Sequence, residues 1–132
     1  MSSYSIGQAA RLLGVSGETV RRWADSGRLT MGRDGTGNRV IDGVGLARFA
    51  KSRAAEADRG VAEAPRTSVR NSFTGIVTAL KADDVVAQVE IQAGPHRMVS
   101  MVTREAVEEL GLAVGVTVTA RVKSTSVHID RS

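Results

Sequence analysis

Two short runs of the chain carry hydroxyls and cations with no acid among them: Ser68, Arg70 and Asn71, and then Lys123, Ser124, Thr125 and Ser126. A doubly charged tetrahedral oxyanion offers only acceptors. It is held by hydroxyl and backbone donors with one or two cations nearby and no competing carboxylate. Each run alone is equally what a solvated turn contains, so the chemistry depends on the two being brought together. A second set lies earlier in the chain, where Arg21 and Arg22 stand in Thr19-Val20-Arg21-Arg22-Trp23 and Arg33, Asn38 and Arg39 flank a glycine-rich run. Arginine suits phosphates and guanine edges, although arginines on a short helix are also an ordinary solvated face.

Other chemistry finds little support. No Ser-His-Asp order, P-loop, paired-carboxylate cleft or dinucleotide fingerprint is present, and Gly35-Thr36-Gly37 is too short to cradle phosphates. The chain has no cysteine, and its histidines, His96 and His128, are too few for a zinc or copper cluster and read as surface or barrel-edge residues. The expectation is therefore a binding protein with no catalytic residue and no bare metal cation.

Charge separates the chain into halves. Residues 1–66 hold 11 basic and 7 acidic side chains and residues 67–132 hold 7 of each, so the net charge of +4 comes wholly from the first half. That asymmetry points to a polyanion partner there. Aromatic residues are only 3% of the chain, which leaves little for stacking on single strands and makes duplex DNA the expected form. No apolar run approaches the roughly 20 residues of a membrane span and the N-terminus lacks a secretory pattern, so a cytoplasmic, membrane-free protein is expected.

These residues need elements to position them. Ser5-Ile6-Gly7-Gln8 is a capping box; Ile6, Ala9, Ala10 and Leu13 follow on one face, and Gly14 stops the helix. Ser16 caps a second helix after a tight turn, giving a helix-turn-helix. Val15, Val20, Trp23 and Ala24 face inward, whereas Gly17, Glu18, Thr19, Arg21 and Arg22 face outward, so the basic N-terminal end can enter a major groove. Residues 31–40 read as a glycine-tipped hairpin whose Arg33, Asn38 and Arg39 lie along phosphates. Asp42 caps a third helix, and the alanine- and charge-rich residues 53–66 form a linker, helical as far as Arg59 and loose from Gly60 to Arg66.

In the second half, Val85 to Ile91 and Val116 to Val122 alternate as strands. Thr103-Arg104-Glu105-Ala106-Val107-Glu108-Glu109-Leu110-Gly111 is a helix with a hydroxyl cap, acids in its first turn and a glycine stop. With a returning strand at the end, this describes an OB-like five-stranded barrel carrying one short helix. The fold class is α+β in two domains, residues 1–52 and 67–132, joined by residues 53–66.

Two resemblances follow. S-x-R-N before the first strand, T-x-E-A-V-E-x-L-G-L at the helix and V-K-x-x-S-V at the end resemble the Mop, or molbindin, domain of the TOBE class, which binds molybdate and tungstate. The resemblance implies that Ser68, Arg70, Lys123 and Ser124 hold the anion, with Asn71 and Ser126 in structural or second-site roles. It also implies sites between subunits of a homo-oligomer, a hexamer by family habit or a dimer. Residues 4–52, with T-V-R-R-W-x-D-S-G-R-L and G-x-G-N-R-V, resemble the winged helix-turn-helix of MerR-type and excisionase-like regulators. That implies DNA contacts from Ser16, Gly17, Thr19, Arg21, Arg22, Arg33, Asn38 and Arg39. Together they imply a molybdate- or tungstate-responsive transcription regulator with no organic cofactor. The alternative is an oxyanion storage protein with an accessory helix-turn-helix; weaker still is an architectural DNA binder whose barrel only oligomerises.

Overall fold

A computed structural model describes residues 2–57 and 66–131. The chain divides into two compact units, Met1–Ala64 and Pro65–Ser132. The third helix is described as far as Ala57, and the expected continuation to Arg59 and the loose run from Gly60 to Pro65 lie outside the described residues.

In the first unit a short strand β1 (Ser3–Ser5) leads into α1 (Ile6–Leu13) and α2 (Gly17–Asp25), followed by β2 (Gly32–Arg33), β3 (Arg39–Asp42) and α3 (Gly43–Ala57). The capping box forms as its spacing requires. The Ser5 hydroxyl accepts from the Gln8 amide at 3.1 Å, and the Gln8 side chain accepts from the Ser5 amide at 2.9 Å. Gly14 ends α1 at φ 69°, a left-handed conformation that costs glycine no Cβ clash, and so permits the sharp entry into α2. Ser16 caps α2 by accepting from the Thr19 amide at 3.2 Å.

Ala9, Ala10, Val20, Leu29, Ile41 and Leu46 are buried together, with Trp23 and Phe49 packed against them at 4.9 Å between ring centroids. Full burial of Val20 and Ile41 stabilises this unit by about 1.5–3 kcal/mol for each side chain. The sequence pattern left β1 unread. It joins an antiparallel sheet in the order β1-β3-β2, with Ser3 opposite Asp42 and Arg33 opposite Arg39.

The second unit runs β4 (Asn71–Ala82), β5 (Val86–Ala93), β6 (His96–Thr103), α4 (Arg104–Leu110), β7 (Thr117–Val122) and a 3-10 turn (Ser124–Ser126). Its four strands are antiparallel in the order β6-β5-β4-β7 and curl into a half-barrel. Val77, Val89 and Ile91 form the buried centre. The helix boundaries agree with the pattern: the Thr103 hydroxyl accepts from the Ala106 amide at 3.1 Å, and Gly111 closes α4 at φ 62°.

A fifth, returning strand was expected and is not seen among the described residues. Val122 ends β7, and the chain then winds into its turn, where the Ser126 amide donates to the Lys123 carbonyl at 2.9 Å. Residues 127–131 follow without strand structure. The backbone bonds of this turn take the place of a continued sheet ladder.

β4 is long because it serves two partners. Its first half pairs with β7, Asn71 opposite Val122, and its second half with β5 through a register shift between Val77 and Ala79. Gly75 stands where these pairings meet. It does not need glycine for a positive φ; it needs the space, because a Cβ there would lie 2.4 Å from the Gln92 carbonyl oxygen. Backbone cannot move aside cheaply. Gly75→Ala is expected to destabilise the second unit by about 1–3 kcal/mol of overpacking strain, read as a lower denaturant midpoint with an unchanged slope. An unchanged midpoint would show that β4 and β5 have room to separate.

Candidate functional site

The two acid-free runs meet through the β4/β7 ladder. Asn71 opens β4 and Val122 closes β7 in direct register, so residues 68–71 and residues 123–126 emerge at the same end of the sheet. Asn71 clamps that end: its side-chain amide donates to the Val122 carbonyl at 3.1 Å. Asn71 is half-buried in a structural bond, while Ser68, Arg70, Lys123, Ser124 and Ser126 are exposed.

The approach to β4 is held locally. The Val69 amide donates to the Thr67 hydroxyl at 3.1 Å, and Arg70 Nη1 donates to the Thr67 carbonyl at 3.4 Å. Lys123 precedes the 3-10 turn in an extended conformation and leaves its ammonium in solvent. Two cations and the hydroxyls of three serines therefore share one end of the ladder, with no acid in either run. That arrangement can hold a small anion by charge-assisted bonds, although the exposed groups of one chain enclose it only in part.

Arg97, the cation of the hairpin ahead of α4, has a structural place. It is paired across β5 and β6 with Glu90, whose carboxyl is held below its ordinary range by the hydrogen bond from the Arg97 guanidinium.

The second set assembles in the first unit. Arg21 of α2 and Arg33, Asn38 and Arg39 of the β2–β3 hairpin line one open cavity of about 540 Å³, together with Ser5 and Gly7 at the start of α1. Arg22 does not line it and projects into solvent. Ser16 and Thr19 share a hydroxyl contact of 3.0 Å at the α2 cap, so part of their polarity is spent on the helix start; Gly17 is half-buried against Ile6.

The hairpin residues are more engaged than their sequence suggests. Arg33 Nη1 donates to the Gly37 carbonyl at 2.8 Å, the Asn38 side chain donates to the Thr36 hydroxyl at 3.1 Å, and Arg39 pairs with Asp25 at 3.3 Å. Arg39 thereby links the hairpin to the end of α2 through an exposed ion pair.

The residue that sequence reasoning missed is Asp34. Its Oδ1 accepts from the Thr36 hydroxyl at 2.7 Å and from the amides of Thr36 and Asn38 at 2.9 and 3.0 Å. The signal was present as Asp-x-Thr-x-Asn, an aspartate able to bond to backbone two residues on. These bonds, the Thr36 hydroxyl foremost, hold the Asp34 carboxyl below its ordinary 3.8. Since the carboxylate form accepts them, they persist as pH falls through 3.8 and are lost only below it. The Thr36 and Asn38 amide resonances are expected to titrate together with a midpoint under 3.8; a midpoint above that value would mean the tip is not held by Asp34.

The fold and the two clusters define a helix-turn-helix domain followed by an OB-like domain. Residues 67–129 match the TOBE domain family, and residues 3–54 match a helix-turn-helix domain family. The chain belongs to the TOBE domain family through its second unit and carries the helix-turn-helix domain ahead of it.

Molybdenum-pterin-binding protein 2 of Clostridium pasteurianum is 43% identical over 63 residues, covering 47% of this chain and 93% of that protein. Molybdenum transport protein ModE of Azotobacter vinelandii is 41% identical over 65 residues, 48% of this chain but 24% of that protein. Among solved structures, MopII from Clostridium pasteurianum is 40% identical with a TM-score of 0.47, covering 50% of this chain and 100% of that one. No helix among the described residues is long and apolar enough to cross a membrane.

Proposed function

We propose that this chain is a cytoplasmic DNA-binding regulator that responds to molybdate or tungstate, and that it works by binding and not by catalysis. The observation that carries the reading is the joining, in one chain, of a helix-turn-helix domain and a TOBE domain in which residues 68–71 and 123–126 share one end of the sheet. The names of the relatives support molybdate chemistry for the second unit.

In this reading Arg70 and Lys123 supply charge, Ser68 and Ser124 supply hydroxyl donors, Asn71 braces the ladder and Ser126 supports a second position. Because these donors are exposed on a single chain, a dianion is enclosed only when another subunit covers it. This favours a homo-oligomer, a hexamer by family resemblance or a dimer where the DNA-binding units limit assembly. The anion regulates only if it binds two assembly geometries with different affinity, and those geometries then differ in how they present α2 to duplex DNA.

Storage of the anion is the second reading. It is favoured by the Clostridium relative, of which the matched region makes up 93%, so that relative consists almost entirely of this one domain. Specific operator binding separates the two.

Calorimetric titration of anion-free protein with molybdate, tungstate and sulfate tests the ligand. Arg70→Ala and Lys123→Ala are each expected to weaken molybdate or tungstate binding by about 10- to 100-fold, the loss of one charge-assisted hydrogen bond at about 1.5–3 kcal/mol. Equal affinity in both variants, or no heat with any anion, would remove the oxyanion reading. Selection of binding sites from random duplexes, with and without molybdate, then decides regulator against store: an enriched sequence whose occupancy changes with the anion supports the regulator, and no enrichment supports the store.

A further inference from the structure

Away from the α2 and hairpin cavity, the first unit has another cluster of cations. Arg28, Arg48 and Arg53 stand around a cavity of about 370 Å³, with the hydroxyls of Thr30 and Ser52 on its wall and one acid, Glu56. It shares no lining residue with the cavity of Arg21, Arg33 and Arg39.

Two of the three guanidiniums are held in place. Arg53 lies 5.2 Å from the centroid of Trp23 and donates from Nη1 to the Leu13 carbonyl at 3.3 Å. Arg28 lies 5.9 Å from Trp23 and 5.8 Å from Phe49, with Glu56 at 3.7 Å. A guanidinium drawn to a ring face by cation–π attraction keeps donors available for an anion. Arg48 has no ion pair or side-chain hydrogen bond among the described residues and is exposed. Glu56 offsets one charge of three, so the cavity remains cationic.

We propose that this cavity is a second docking point for duplex DNA, taking a backbone phosphate on Arg48 with Arg28, Arg53 and the Thr30 and Ser52 hydroxyls around it. The inference rests on the DNA-binding reading above. Arginine forks with neighbouring hydroxyls match phosphate oxygens in geometry and charge. The helix-turn-helix domain makes duplex DNA the phosphate-bearing partner to which this cavity is assigned. Contacts of this kind position the protein without reading sequence.

The test uses the full chain and a labelled mixed-sequence duplex, with affinity measured across a salt series for wild type, Arg48→Ala, Arg48→Lys and Arg21→Ala. Arg48→Ala is expected to weaken binding several-fold and to reduce the slope of log K against log salt by about 0.9, the value for one lost phosphate contact. Arg48→Lys should keep most of the slope, and thermal melts should match wild type because Arg48 is exposed. Trp23, the single tryptophan, gives an independent readout: the midpoint of its emission change on duplex titration should move to several-fold higher duplex in Arg48→Ala and stay near the wild-type value in Arg48→Lys.

Wild-type affinity and slope in Arg48→Ala, with Arg21→Ala impaired, would overturn this inference and leave the DNA reading standing. Wild type that binds no duplex would overturn the DNA reading and this with it. A saturable Trp23 response to inorganic phosphate, with duplex binding untouched by Arg48→Ala, would overturn it in favour of a free small anion.

Discussion

The antiparallel ladder between β4 and β7 is the constraint on which the second unit depends. Residues 68–71 and 123–126 are far apart in the chain, and either alone is a solvated turn. Pairing Asn71 with Val122 makes them neighbours, and the Asn71 amide on the Val122 carbonyl closes the end of the ladder where both runs leave the sheet. Had the register slipped by one residue, every side chain of β7 would turn to the other face and the apolar Val118 and Ala120 would leave the core. The cost of exposing that core therefore also fixes which polar groups meet. Gly75 is part of the same constraint, since β4 can serve β7 and β5 in succession only where a backbone passes within reach of the Gln92 carbonyl.

The half-barrel leaves β6 and β7 as its free edges. Val89, Ile91, Met98 and Leu112 line a groove of about 270 Å³ spanned by residues of both strands, and Val99 and Leu110 at its margin are substantially exposed. That margin is exposed apolar surface beside polar strand edges. The first unit reaches its cationic surface differently. Its core of Val20, Leu29, Ile41 and Leu46 sets the angle of α2, and the Arg39–Asp25 pair joins the hairpin to that helix. The hairpin tip is organised by one carboxylate, Asp34, so an acid sits within an otherwise basic surface because it shapes the turn.

Much of this was legible from residue order. Caps and stops are local events: a serine or threonine hydroxyl reaches an amide three residues away, and a glycine takes a positive φ. The starts at Ser5, Ser16 and Thr103 and the ends at Gly14 and Gly111 accordingly agree with their sequence signals. Strand β1 was not legible, because three residues carry no period and it exists only by pairing with β3. The expected last strand failed for the opposite reason. A strand needs a partner, and after Val122 the chain turns on a backbone bond from Ser126 to Lys123 in place of extending the ladder.

The sequence by itself determined the two-unit organisation, the starts of α1, α2 and α4 and the stops of α1 and α4, the charge excess of the first half and the composition of both polar runs, since each depends on neighbours a few residues apart. Tertiary structure alone decided which of these residues meet. It brought residues 68–71 and residues 123–126 to one end of the β4–β7 ladder, engaged Asn38 and Arg33 in hydrogen bonds within their own hairpin, gave Arg97 a partner in Glu90, and set Arg28 and Arg53 over the Trp23 ring. Those outcomes follow from strand register and core packing, which are set by apolar burial summed over the whole unit and are not encoded at any one position.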